Sequence, residues 1–208
     1  MMTQMPLVVR PATPADPADA LLYLSAKPYY DAYAGSEDRA RSLLAAVYRR
    51  RGHAASFEVC SVAELDGTLA GVIAWFPVGE GDVRARRFVS LTAPRVPPWR
   101  WLALLRHLRA AGTVSPHPPP GMLYVDALAV DPAYRRRGVA SALLERAERA
   151  ALARALSGVA LDTGLQNEPA RALYAASGYS ERDIRRARDP AAAAAIGGPG
   201  FVSYLKRL

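Results

Sequence analysis

Between Val139 and Leu156 the apolar residues Val139, Leu143, Leu144, Ala147, Ala151 and Ala155 recur at steps of three and four. Glu145, Arg146, Glu148 and Arg149 fill much of the other face. This spacing predicts an amphipathic helix, which Ser157-Gly158 ends. Upstream, Leu128-Ala129-Val130 reads as an apolar strand that stops at Asp131-Pro132. Downstream, Val159 to Thr163 reads as a second strand, parallel to the first if the helix is a crossover. The stretch Asn167 to Tyr174 predicts a short helix, with Pro169 near its start and Gly178 after its end.

The remaining pattern is less regular. Val8 to Thr13 reads as a first strand, and Asp16 to Arg51 as helical stretches broken around Lys27-Pro28 and Gly35-Ser36. Phe57 to Glu64 and Leu69 to Phe76 flank Leu65-Asp66-Gly67-Thr68, where Asp-Gly signals a hairpin. Residues 78–121 form a long insertion in which Pro97 to Arg109 reads as a helix with a proline-rich entrance, followed by a stiff exit at Ser115 to Pro120. The segment Asp189 to Gly200 is loop-like, with an alanine run suited to a short helical turn, and Phe201 to Leu205 is a plausible last strand.

Composition narrows the class. At 208 residues and 51% hydrophobic content the chain can bury a full core, which excludes general disorder and fits one domain over 1–208. No run approaches the roughly 20 apolar residues of a membrane span, and the N-terminal residues lack a basic-then-apolar secretion signal. The expected location is cytoplasmic, with no membrane partner. The lone cysteine, Cys60, excludes an internal disulfide and lies in an apolar strand as a buried thiol. His53, His107 and His117 lack metal-ligand spacing, so no metal is expected.

The formal net charge of +8 is almost wholly arginine, since Lys27 and Lys206 are the only lysines among 27 basic residues. Neither an aromatic-basic surface motif nor a recognition-helix pattern accompanies it, so no nucleic-acid partner is expected. A basic surface that serves a polyanionic ligand accounts for the charge.

Candidate chemistry is concentrated at Asp131-Pro132-Ala133-Tyr134-Arg135-Arg136-Arg137-Gly138-Val139-Ala140. A strand ends, the chain turns, and a basic segment with one glycine opens a helix. Such a bend points backbone N–H groups and a helix N-terminus at one spot, as proteins do to hold phosphates. Neither the mononucleotide P-loop nor the dinucleotide glycine fingerprint is present.

Arg135-x-x-Gly138-x-Ala140 after the strand resembles the acetyl-CoA-binding motif of the GNAT superfamily of N-acetyltransferases. Asn167-x-x-Ala170-x-x-Leu173-Tyr174, followed by Ser177-Gly178-Tyr179, resembles a second block of the same family. Together the two blocks cover about residues 122–180. The resemblance implies the α/β (α+β) GNAT fold: a central mixed, mostly antiparallel twisted sheet of about seven strands, splayed at the central parallel pair and flanked by helices. It implies a GNAT-family acyl-CoA N-acyltransferase that moves an acetyl group from acetyl-CoA to a primary amine of a small molecule or peptide by direct attack. A non-catalytic acyl-CoA-sensing or macromolecule-binding module of the same fold is the alternative.

Carried onto this chain, the resemblance assigns donor contacts to Leu128, Ala129 and Val130 through their backbone. The pyrophosphate contacts fall on Arg135, Arg136, Arg137, Gly138, Val139, Ala140 and Ser141, with Asn167 a further coenzyme contact or a helix cap. Tyr174 matches the family tyrosine that protonates the departing sulfur. Two carboxylates are candidates for the base that takes the amine proton: Asp162, five residues before Asn167, and Asp126, two residues before Leu128. The alternative for either is a hydrogen-bonded structural carboxylate. The insertion helix, with Trp99, Trp101 and the Tyr29-Tyr30 segment, walls the acceptor pocket or packs on the sheet or on a second copy, making a homodimer conceivable.

Overall fold

A computed structural model describes residues 7–208. The reading of residues 1–6 as lacking a secretion signal lies outside the described residues. Seven strands form one sheet: β1 (Val8–Pro11), β2 (Cys60–Leu65), β3 (Thr68–Pro77), β4 (Leu123–Val130), β5 (Gly158–Gly164), β6 (Ser180–Arg186) and β7 (Gly200–Arg207), in the order β1-β2-β3-β4-β5-β7-β6. All neighbours are antiparallel except β4 and β5. The β2–β3 hairpin turns through Asp66 and Gly67, both at positive φ, as the Asp-Gly signal predicts.

Among the described residues eight α-helices cover the faces: α1 (Asp19–Ser25), α2 (Lys27–Ala34), α3 (Glu37–Tyr48), α4 (Gly81–Thr92), α5 (Trp101–Thr113), α6 (Val139–Leu152), α7 (Glu168–Ala176) and α8 (Pro190–Ile196). The breaks expected at Lys27-Pro28 and Gly35-Ser36 are there. Gly35 ends α2 in the left-handed region, and the Ser36 hydroxyl accepts from Arg39 N–H to cap α3. The apolar side of α6 (Val139, Leu143, Leu144, Ala147 and Ala151) packs on the sheet face that carries Ile73, Leu123, Val125 and Leu161. The opposite sheet face, with Val72, Ala74, Phe76, Ala127 and Ala129, is buried under α1, α2 and α3 and reached by Leu104 of α5.

Four sequence readings need correction. Helix α6 stops at Leu152 rather than at Ser157-Gly158; the chain turns through Ala155 at φ 51°, and Gly158 opens β5. The segment after Asp189 is a real helix, α8, because the Asp189 carboxylate caps Ala192 N–H at 2.7 Å and Gly197 ends it left-handed. The insertion holds a second helix, α4, ahead of α5. Strand β6 was not foreseen, since nearly every residue in it is exposed and it has no apolar alternation; pairing with β7 alone makes it a strand.

Candidate active site

Strands β4 and β5 pair only at Leu123, Tyr124 and Val125, opposite Val159, Ala160 and Leu161. Past that point β4 keeps its partner β3 as far as Val130, and β5 keeps β7 as far as Gly164. The two strands diverge, and the backbone of β4 from Asp126 onward faces a gap. Asp131 N–H bonds Ala70 O across to β3 at 2.9 Å. Strand alternation then turns Ala129 toward β3 and leaves the N–H groups of Leu128 and Val130 toward the gap. Of the three backbone contacts expected here, Leu128 and Val130 are placed to meet a ligand, whereas Ala129 serves the sheet.

At the far end of the gap the chain bends through a short 3-10 turn, Pro132–Tyr134, into α6. Arg136 and Gly138 both take left-handed conformations, at φ 62° and 79°. The amides of residues 136 to 141 find no protein acceptor among the described residues. Six consecutive unclaimed donors at a helix N-terminus form an anion cradle, with Arg135, Arg136 and Arg137 exposed around it. A Cβ at Gly138 would meet nothing within 4 Å, so the glycine answers a backbone demand and leaves the space above the bend open. The cradle and gap fit a long phosphate-bearing thioester donor.

Asp126 marks where the strands part. Its neighbours Val125 and Ala127 pair with Trp75 and Ala74, which are adjacent, so Asp126 is the extra residue of a β-bulge. The bulge aims its carboxylate into the cleft. Asp126 is exposed to water at the mouth of the cleft, with protein packed densely behind it. That enclosure, with the charge of Asp162 added, pushes its pKa up to about 7. The same carboxylate acts on Tyr29 and Tyr30 of α2: burial, and secondarily the charge of Asp126, raises Tyr29 to about 12 and Tyr30 further still. Tyr29 stands at 6.1 Å from Tyr30, 4.5 Å from His107 and 6.3 Å from Phe201 by ring centroids. The Tyr29-Tyr30 segment therefore lies on the Asp126 side. Trp99 and Trp101 do not, being 78% and 54% exposed on the outer surface.

Asp162 has a different setting. Its Oδ1 accepts from Ser203 Oγ at 2.5 Å and is ion-paired with Arg185 Nη2, while Oδ2 accepts from Tyr124 at 3.1 Å. Arg185 also donates to Val114 O at 2.9 Å and to Ser203 at 2.7 Å, so β5, β6, β7 and the end of α5 meet at one network. Nothing in the sequence tied Arg185 or Ser203 to Asp162, because the three come together only through the β5-β7-β6 order. A cavity of about 300 Å³ opens beside the network, roofed by His117, Pro118 and Pro119 and floored by Asp162, Arg182 and Ser203.

Tyr174 is 5% exposed, packed 5.5 Å from Tyr204 and 6.2 Å from Tyr179. Among the described residues its hydroxyl has no hydrogen-bond partner, and burial followed by the charge of Asp162 holds its pKa well above the usual phenol value. Asn167 caps α7 by accepting from Ala170 N–H at 3.3 Å, and its amide donates to Thr163 at 3.0 Å.

A forked sheet with an amide-lined bend at the fork and a carboxylate at its apex defines an acyl-transferring enzyme. The chain belongs to the acetyltransferase (GNAT) family, whose sequence pattern matches residues 19–179. The N-acetyltransferase from Staphylococcus aureus Mu50 shares the fold at a TM-score of 0.71 and 16% identity, over 96% of this chain and 100% of that one. Drosophila melanogaster polyamine N-acetyltransferase, which forms N-acetylagmatine, shares it at 0.58 and 20% identity, over 98% and 100% of the two chains. An agmatine N-acetyltransferase does so at 0.59 and 20%, over 97% and 99%. No curated protein is similar enough in sequence to match.

Proposed function

We propose that this enzyme transfers the acetyl group of acetyl-CoA to a primary amine of a small molecule, with Asp126 as general base and Tyr174 as general acid. The donor's pyrophosphate lies on the amides of residues 136 to 141, and its thioester carbonyl in the gap accepts from Leu128 N–H. The amine enters from the side of Tyr29 and Tyr30. Asp126 takes its proton, directly or through a water, and the free nitrogen attacks the carbonyl carbon. As the C–S bond breaks, the Tyr174 hydroxyl supplies the proton for the departing thiolate, and the second proton shed by the attacking nitrogen as the amide forms restores that hydroxyl. The products are an acetamide and the free thiol.

The bulge at Asp126 carries this reading. An alkylammonium has a pKa near 10 and must shed a proton before attacking. A carboxylate at its ordinary pKa is a poor acceptor for that proton, whereas one raised to about 7 is poised for it near neutrality. Asp162 is the weaker candidate, since Arg185, Ser203 and Tyr124 already occupy its oxygens. We assign it to holding the cleft's floor and to placing the charge that acts on Asp126. A small acceptor is favoured because α2, α5 and α8 pack together on that side, and relatives of this fold act on agmatine and polyamines.

Thiol release from acetyl-CoA, measured against a panel of primary amines, tests the proposal. Since Asp126 is the base only when ionised, kcat/KM is expected to rise with pH through about 7. Asp126→Asn is expected to remove that limb and to lower kcat roughly a hundredfold. An unshifted profile would take the role from Asp126. No release with any amine, from protein that binds the coenzyme, would leave the alternative of an acyl-coenzyme-binding module.

A further inference from the structure

The outer surface of α5 is apolar where an exposed helix face ordinarily is polar. Trp99, Trp101, Leu102 and Leu105 are 78, 54, 59 and 50% exposed. Leu104 and His107 of the same helix point inward, with His107 Nδ1 bonded to Ala195 O of α8 at 2.7 Å. The helix thus has one apolar stripe facing the protein and a second facing away from it. Trp101 is fixed in its outward pose, because its indole N–H donates to Val96 O at 3.0 Å.

The charge along this stretch of the chain has one sign. From Val83 to Val125 the chain contains no Asp or Glu, while Arg84, Arg86, Arg87, Arg95, Arg100, Arg106 and Arg109 all fall within it. Among the described residues only Arg84 of these reaches a carboxylate, pairing with Glu58 and Glu80. Arg106 and Arg109 are exposed one turn beyond Leu102 and Leu105, on the same side of α5.

We propose that the outer face of α5, together with Trp99, docks on an anionic lipid surface. Lying on a bilayer needs no spanning segment. It needs an apolar face that enters at headgroup depth, tryptophans at the interface, and basic residues on the rim. All three are present here, and unpaired arginines meet acidic headgroups with complementary charge. A second copy of the chain is a poorer occupant, since self-pairing sets Arg106 and Arg109 against their own counterparts with no carboxylate between them. A nucleic acid would satisfy the arginines but leave Leu102 and Leu105 without apolar partners.

Co-sedimentation of the full chain with vesicles tests this. Vesicles of phosphatidylcholine mixed with phosphatidylglycerol are expected to carry the protein down and shift its tryptophan emission to the blue, and pure phosphatidylcholine to do neither. The double variant Trp99→Ser, Leu105→Ser is expected to lose binding, and Arg106→Gln to weaken it roughly fivefold. These positions are exposed, so melting temperature and coenzyme binding stay at the wild-type level and show that the variants are folded. The proposal is overturned if mixed vesicles leave the protein in the supernatant at low salt, or if the double variant still binds them. It is equally overturned if that variant instead abolishes a concentration-dependent dimer or an oligonucleotide complex.

Discussion

Two tyrosines and two aspartates illustrate how environment divides labour between like residues. Tyr124 is tied to Asp162, while the Tyr174 hydroxyl has no partner among the described residues and its proton is held firmly by burial. A phenol of raised pKa gives up a proton only to a base generated beside it, which is what a thiolate of pKa about 8.5 requires to be helped by placement and not by acidity. Tyr174→Phe is expected to lower kcat roughly a hundredfold with coenzyme affinity unchanged; equal rates would remove the hydroxyl from the reaction. Arg185 and Asp162 are 12% and 10% exposed, so removing one strands the other. Arg185→Met is expected to cost about 3 kcal/mol by chemical denaturation, and adding Asp162→Asn to restore most of it. A single variant as stable as wild type would show that the pair contributes nothing to folding.

At the scale of elements, the decisive unit is the bend between β4 and α6. It was legible in the sequence because its requirements are local: a strand that stops at Asp131-Pro132, a left-handed residue at Gly138, and a helix whose first turn has no acceptor for its amides. Gly138→Ala is expected to destabilise by roughly 1–2 kcal/mol, since an L side chain at φ 79° is strained although its Cβ finds open space. Coenzyme affinity measured by calorimetry should fall with it, and an alanine variant that binds as tightly would show that the bend's conformation does not matter. What the sequence hid is equally instructive. Strand β6 exists because β7 offers it an edge, and the Asp162–Arg185–Ser203 network exists because three strands distant in sequence are neighbours in the sheet. Periodicity reports what a segment does alone and is blind to both.

For the whole molecule, the positive charge is unevenly spent. Arginines such as Arg10, Arg84 and Arg185 are paired with carboxylates, while Arg135, Arg136 and Arg137 ring the bend without such partners among the described residues. On the proposed function, a coenzyme bearing several phosphates is expected to be drawn in by long-range attraction as well as held by amides. Its association rate is expected to drop steeply between about 0.05 and 0.5 M salt, as charges more than a Debye length apart are screened. A salt-independent rate would confine the interaction to the amides.

The α2–α5–α8 cluster also makes one half of the site separable from the other. Gly197 lies so close to Pro28 that a Cβ there would sit 2.2 Å from its carbonyl oxygen, and Ala195 accepts the bond from His107. The wall beside Tyr29 and Tyr30 is thus closed by α8, with no room for a side chain at position 197. Any side chain at Gly197 would lift α8 from α2 while leaving the amides of the bend untouched, so this wall and the anion cradle can be altered one without the other.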